Sequence, residues 1–153
     1  MTPAGTLKID YVVKPTVDIE WLPEIGIALK MPNQPQGLAW LGLGPINSLP
    51  NKTAAALFGQ WTAAIGSKEA RDTKSGVEWV RLVMDDGHAI HIKGCVGFRW
   101  EDQPGAQHLR IFSHLAGAWS KGGKPELPEW RLDLTEGRTF KGSFEFTPIV
   151  SSP

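Results

Sequence analysis

The feature that most constrains this chain is an alternation of apolar and polar residues with a period of two. It is followed by Leu7, Ile9, Tyr11 and Val13, and again by the segment from Ile25 to Met31. Successive side chains of a β-strand point to opposite faces, so this spacing predicts half-buried strands. We therefore expect sheets rather than a bundle of helices.

Further strand signals follow at residues 38–44, 77–84, 88–100, 108–115, 130–134 and 139–146. Residues 17–21, between Pro15 and Pro23, suit an edge strand or an extended connector. Residues 77–100 are predicted to form a hairpin extended by a third strand, and the turn at 135–138 to close another hairpin. In the last strand, Phe140, Phe144 and Phe146 are predicted to line one face. About eight or more short strands predict an all-β fold, an antiparallel β-sandwich, as a single domain over residues 1–153.

One segment favours a helix. Residues 53–61, TAAALFGQW, are enriched in Ala and Leu, with Asn51 or Thr53 as an N-cap. The sequence therefore predicts one short helix there.

Composition excludes several classes of function. The 16 basic and 16 acidic residues give a formal net charge of zero, which argues against nucleic acid or an anionic membrane as a partner. No run approaches the roughly 20 apolar residues of a membrane span, which predicts a soluble chain. Cys95 is the single cysteine, so no intramolecular disulfide can form and no cysteine pair can hold a metal. We predict no cofactor and no metal.

Seven tryptophans in 153 residues raise the question of carbohydrate binding, because an indole ring stacks well on a pyranose. Large aromatic side chains on strands usually pack in the core, as predicted for Trp21, Trp40, Trp79 and Trp130. Trp119 precedes a glycine-rich loop and is the better candidate for an exposed sugar platform, followed by Trp100 at a predicted strand end.

Histidines and carboxylates do not form a recognisable catalytic set. His88 and His91 are three residues apart and would point to opposite faces of a strand. His108 and His114 would lie about 20 Å apart along a strand. Asp85 and Asp86 precede Gly87 and are interpreted as turn formers, and Glu101 and Asp102 lead into a Gln-Pro-Gly segment that is also interpreted as a turn. Motifs for a serine nucleophile or a bound nucleotide are absent from the sequence.

The most specific text is WLGLGPINSLPNKTAAALFGQW, residues 40–61. It resembles the pattern WxGxGPxExYPDRxxAAxFG of the last domain of large β-galactosidases of glycoside hydrolase family 2. The sequences of the flanking strands are similar as well, over nearly the whole chain. Asn47 stands where that pattern has Glu, Leu49 where it has Tyr, and Asn51 with Lys52 where it has Asp with Arg.

This resemblance implies a fold and a role. The family's domain is a galactose-mutarotase-like supersandwich, and the chain corresponds to about its second half, as a piece of a larger glycoside hydrolase. The family's catalytic glutamates lie in a separate TIM barrel, which needs about 250 residues. The domain also lends an aromatic residue to the galactose site, and its aligned position is about His108.

The leading hypothesis is therefore a non-catalytic accessory domain that borders a carbohydrate site, with Trp119, Trp100 and His108 as candidate sugar contacts. Its expected partners are the other domains of the parent enzyme and a galactoside or oligosaccharide. The alternatives are a free-standing carbohydrate-binding module and a structural domain that forms homo-oligomers. The compartment stays open.

Overall fold

A computed structural model describes residues 5–31, 35–84, 88–103, 106–118 and 127–150. These residues form twelve strands: β1 (Leu7–Val13), β2 (Ile19–Leu22), β3 (Glu24–Met31), β4 (Gly37–Gly44), β5 (Leu57–Ala64), β6 (Lys74–Ser75), β7 (Trp79–Val83), β8 (Ala89–Lys93), β9 (Gly97–Gln103), β10 (Ala106–Leu115), β11 (Leu132–Leu134) and β12 (Phe140–Ile149). A single-turn helix, α1 (Lys68–Arg71), and a 3-10 turn (Pro128–Trp130) complete the described elements. None of the described helices is long and apolar enough to span a membrane.

The strands form antiparallel sheets. One sheet has the order β1-β12-β8-β7-β4-β5, and a second has the order β3-β10-β9-β6. A small third sheet pairs β2 with β11. The core lies between the two larger sheets, where Trp40 of β4 meets Phe98 of β9 with ring centres 5.5 Å apart. The predicted all-β, antiparallel sandwich is confirmed.

The helix predicted at residues 53–61 is wrong. Residues 57–64 form β5, which pairs with β4 in unbroken register from Leu57–Gly44 to Ala64–Gly37. Pairing with a neighbouring strand outweighs the weak helix preference of the alanines, since propensity yields to tertiary context. The short helix lies further along, at α1, where the Ser67 hydroxyl accepts a hydrogen bond from the backbone of Ala70.

Two predicted strand connections are also wrong. β7 and β8 are antiparallel neighbours, as predicted, but β9 lies in the other sheet. Gly94, between β8 and β9, has a φ of +89°. The turn from Thr135 to Arg138 is present, with its backbone hydrogen bond at 3.1 Å. However, β11 pairs with β2, whereas β12 pairs with β1 and β8. The local signal predicted the turn at 135–138 correctly, whereas the one at 85–87 lies outside the described residues. The sheet in which the next strand pairs depends on distant residues.

The aromatic side chains of β12 and β4 are buried, whereas Trp79 of β7 is half-buried. Phe140, Phe144 and Phe146 are all buried along β12, which confirms their common face. Trp40 is completely buried, as predicted for a core residue. Trp79 instead lies on the opposite face of β7 from the buried Val80, half-buried and 5.2 Å from the His91 ring.

Candidate functional site

The outer face of the four-stranded sheet carries a cluster of two arginines and two glutamates. Arg99 and Glu101 lie on β9, Arg110 lies on β10 and Glu24 begins β3. The register of β9 and β10 places Arg99 directly opposite Arg110. Residues opposite each other in an antiparallel pair share a face, so two like charges meet here. We call these four side chains the charge cluster.

The glutamates bridge the arginines. Glu101 accepts from Arg99 Nη2 at 2.8 Å through Oε1 and from Arg110 Nε at 2.9 Å through Oε2. Glu24 Oε1 accepts from Arg110 Nη1 at 2.7 Å and from Arg99 Nη2 at 3.2 Å. Each carboxylate therefore touches both guanidinium groups, and the formal charge of the cluster is balanced.

Phe112 and Thr73 contact the Arg99 side chain. The Arg99 guanidinium lies over the ring of Phe112, 5.7 Å from its centre, and Nη1 lies 3.5 Å from the hydroxyl oxygen of Thr73. A cation over an aromatic face is favourable when partly desolvated. This packing holds the planar guanidinium in the orientation that the carboxylates need.

The cluster is partly withdrawn from water. The Glu24 side chain is 11% exposed and that of Glu101 is 21% exposed. Burial alone would raise the pKa of Glu101, but the hydrogen bonds and charges of Arg99 and Arg110 outweigh it and lower that pKa. The Glu24 hydrogen bond raises the pKa of Arg110 against a smaller effect of burial. Both shifts favour the charged forms of Glu101 and Arg110.

A shallow cavity of about 170 Å³ adjoins the cluster. Its walls include charged and apolar groups, from Glu24, Gly26, Ile27, Ala28, Arg110 and Phe112. It opens on the same outer face of the sheet. An arrangement of fixed donors and acceptors beside a small apolar floor can receive a polar, hydroxyl-bearing group.

The three predicted sugar contacts fall in different places. His108 lies on the outer face, opposite Glu101 of β9 and Lys30 of β3. Its Nδ1 atom is buried and has no hydrogen-bond partner among the described residues. Trp100 points the other way into the core, 1% exposed, and donates from Nε1 to Asp102 at 2.9 Å. Trp119 lies outside the described residues.

The burial of Trp100 has a direct consequence for sugar binding. A ring that is 1% exposed offers no face on which a pyranose could stack. Trp100 faces Leu109 across the sheet and belongs to the main core cluster. Trp100 is therefore a core residue and not part of the outer surface.

Glu101 and Asp102 lie inside β9, which ends at Gln103. The rest of the predicted Gln-Pro-Gly turn lies outside the described residues. Asp85 and Asp86 lie outside the described residues. Sequence reasoning did not single out Glu24, Arg99 or Arg110. The alternation of Arg99 and Glu101 with the buried Phe98 and Trp100 was the available signal. It indicates a polar outer face, but not which charges meet there.

A second feature connects the central motif to the segment before Trp119. The Asn51 side chain donates from Nδ2 to the carbonyl of Ala118 at 3.2 Å and accepts a hydrogen bond from the Ala118 amide. A carboxylate at this position could only accept. The asparagine at this departure from the motif therefore pairs with both backbone groups of the residue adjoining Trp119.

Metal ligation has no support in the described residues, where no group of three or more His, Cys, Asp or Glu side chains is arranged to hold an ion.

The comparisons with known proteins match this chain to β-galactosidases. A family model described as the β-galactosidase small chain matches residues 1–108. A β-galactosidase of Photobacterium profundum is 30% identical over 87 residues, which cover 51% of this chain and 8% of that protein. One from Klebsiella pneumoniae is 28% identical over 106 residues, 67% of this chain and 10% of that protein. The chain thus spans a tenth or less of the length of these relatives.

Proposed function

The chain belongs to the β-galactosidase small-chain family, and from this premise we propose that it is a non-catalytic accessory domain of a β-galactosidase-like glycoside hydrolase. In this role it packs against the other domains of the parent enzyme. The outer face of the sheet formed by β3, β10 and β9 then borders the carbohydrate site.

The charge cluster is the observation that carries the non-catalytic role. Glycoside hydrolysis needs two carboxyl groups, one of which must hold a proton to act as the general acid. Arg99 and Arg110 lower the pKa of Glu101, whereas a general acid requires a raised one. Glu24 and Glu101 are also both bound to the same two arginines. This arrangement favours a fixed surface over proton transfer.

The same geometry supports contact with a sugar. Guanidinium and carboxylate groups that are held by each other keep unused donors and acceptors in fixed positions, and sugar hydroxyls can bond to both. Arg110 is the most exposed member, with 38% of its side chain accessible, and it lines the 170 Å³ cavity. His108 lies beside it on the same face. Arg110 and His108 are thus the described residues that we propose as carbohydrate neighbours.

The first experiment assays the isolated chain on a chromogenic β-galactoside. We expect no turnover beyond that of Glu24→Gln and Glu101→Gln variants prepared in the same way. Sustained turnover that one of these substitutions abolishes would reject the non-catalytic role.

The second experiment tests the accessory role directly. The chain is mixed with a Klebsiella pneumoniae β-galactosidase from which the matching segment has been deleted. We expect the chain to bind it and to raise its turnover, and Arg110→Met to reduce that gain. The matched control is Lys141→Met, an exposed residue of β12 on the other sheet, which should leave the gain unchanged. Absence of binding would count against the accessory role.

The carbohydrate-binding module is the second candidate, and Asn51 gives it a specific basis. Its two hydrogen bonds hold Ala118, which directly precedes Trp119. Titration of the chain with galactosides, followed by tryptophan fluorescence, separates the two functions. Saturation at millimolar or lower concentration that Trp119→Ala abolishes and His108→Ala retains would favour the module over the accessory domain.

A further inference from the structure

Among the described residues, the outer edge of β1 pairs with no other strand, and it carries a specific charge pattern. β1 is the last strand of the six-stranded sheet and pairs with β12 on one side. Lys8 and Asp10 project from its outer face, with side chains 54% and 64% exposed and their charged atoms 3.5 Å apart. Such an edge presents free backbone donors and acceptors to another strand.

Apolar surface accompanies this edge. Leu7 is 50% exposed and Val12 is 53% exposed, although both lie within a strand. An open groove of about 360 Å³ runs between β1 and the edge strand β3 of the other sheet. It is lined by Leu7, Ile9, Leu29, Lys30, Met31, Leu82, Ile90 and Phe146. Exposed apolar surface at a sheet edge favours coverage by another chain.

We propose that a second copy of this chain pairs with it through β1, so that two six-stranded sheets join into one. Two copies related by a two-fold axis perpendicular to the sheet bring β1 against β1 in antiparallel orientation. This axis maps each face of the sheet onto itself, so residues that lie opposite each other must come from the same face of β1. The axis must therefore lie midway between the two copies of one residue of β1. The charges then select which residue that is.

The axis lies between Ile9 of one copy and Ile9 of the other. In this register Lys8 of each copy lies opposite Asp10 of the other, so two pairs of opposite charge form. An axis one residue earlier would set Lys8 against Lys8, and an axis one residue later would set Asp10 against Asp10. Like charges directly opposite each other destabilise a strand pair, whereas opposite charges stabilise it. The Ile9 register also places Tyr11 of the second copy beside the exposed Leu7.

Neighbouring charges and the overall balance agree with this pairing. Lys8 already lies opposite Glu145 on β12, and Asp10 lies opposite Ser143. A row of alternating charge would therefore run from Glu145 through Lys8 to Asp10 of the second copy. The formal net charge of zero means that two copies do not repel each other at long range.

The test uses sedimentation of the full chain and two charge variants, with the fold of each checked by circular dichroism. The unmodified chain is expected to sediment as a concentration-dependent dimer. Asp10→Lys gives two lysines and Lys8→Glu gives two acids, so each variant alone should dimerise about tenfold more weakly, because both cross-strand pairs become repulsive. An equimolar mixture of the two variants should regain the dimer, since every pair across the junction is again of opposite sign.

Thr62→Lys is the matched control. It adds a lysine to β5, the edge at the far end of the same sheet, and should leave the dimer unchanged. A chain that stays monomeric at all concentrations overturns the proposal. So does a dimer that survives Asp10→Lys, or a mixture of folded variants that remains monomeric.

Discussion

The ammonium nitrogen of Lys74 lies 5.5 Å from the centre of the Trp40 ring, and both side chains are completely buried. The same nitrogen donates to the carbonyl of Glu69 at 2.7 Å and to that of Asp72 at 3.2 Å. These carbonyls belong to α1 and to the residue that follows its end. A buried lysine thus ties the short helix to the core of the sandwich.

We predict that this lysine makes stability rise with pH above about 8. Burial lowers the pKa of Lys74 from 10.5 to about 8, despite the opposing charges of Asp72 and Glu69. Between these two values the unfolded chain holds a proton that the folded protein has released, so raising the pH favours folding, by about 3 kcal/mol in total. Urea unfolding at several pH values between 7.5 and 10.5 measures the slope, and Lys74→Met should remove it. An unchanged slope in that variant would refute the assignment.

The experiment needs a Cys95→Ala background, because Cys95 acts in the opposite direction. Burial raises the pKa of its thiol from 9.0 to about 12, against a smaller backbone hydrogen-bond effect. Above pH 9.0 the unfolded thiol ionises while the folded one keeps its proton, so stability falls with rising pH.

Cys95 is itself predicted to be chemically inert in the folded protein. Its side chain is buried, with 3% of the residue exposed, and the thiolate is the reactive form of cysteine. A thiol reagent at pH 8 should label the native chain at least tenfold more slowly than the chain in urea. In a Cys95→Ala background, Thr62→Cys places a thiol on an exposed strand residue and should react at once. Rapid labelling of native Cys95 would show that the core opens easily.

The charge cluster should contribute measurably to stability. Glu101→Gln removes the charge that bridges Arg99 and Arg110 and leaves the two facing guanidinium groups with Glu24 alone. We expect the free energy of unfolding to fall by about 1–2 kcal/mol at pH 7. This is less than for a fully buried pair, because the cluster is partly solvated. Chemical unfolding measures the loss, and the exposed Glu129→Gln should change stability by less than about 0.5 kcal/mol.

The pH dependence of this loss has a definite sign. The arginines lower the pKa of Glu101, so its contribution is present above the usual 4.5 and disappears as the pH falls through the folded value. The difference between Glu101→Gln and the unmodified chain should therefore shrink in acid. A difference that grows on acidification would contradict the ion pairs.

The sequence predicted what depends on neighbouring residues and failed where distant residues decide. The alternation in residues 7–13 and 25–31 predicted β1 and β3, because a strand that buries one face needs an apolar side chain at every second residue. The helix at 53–61 failed because its alanines carry only a weak local preference, while β5 is fixed by pairing with β4. The charge cluster could not be predicted, because Glu24 and Arg110 are 86 positions apart and meet only through the order of strands in the sheet.

Two glycines that face each other across β4 and β5 differ in the space that an added side chain would find. Gly42 of β4 lies directly opposite Gly59 of β5. A Cβ atom added at Gly42 would lie 2.8 Å from the carbonyl oxygen of Gly76 and 2.9 Å from Cα of Val77, so the backbone there would have to move. At Gly59 the nearest atoms are those of the Trp61 ring, at 3.6 Å, an ordinary contact. Other backbone thus approaches β4 closely at Gly42.

Gly42→Ala should therefore destabilise the chain by about 1–3 kcal/mol, the usual cost of overpacking a core. Gly59→Ala should be neutral or stabilise by up to about 1 kcal/mol, because alanine restricts the unfolded chain and fits a strand better than glycine. Urea unfolding of the two variants under one set of conditions measures both. Equal destabilisation by the two substitutions would mean that sheet pairing rather than contact with Gly76 sets the cost. The contact itself would be supported if Gly42→Ala alone lowered stability.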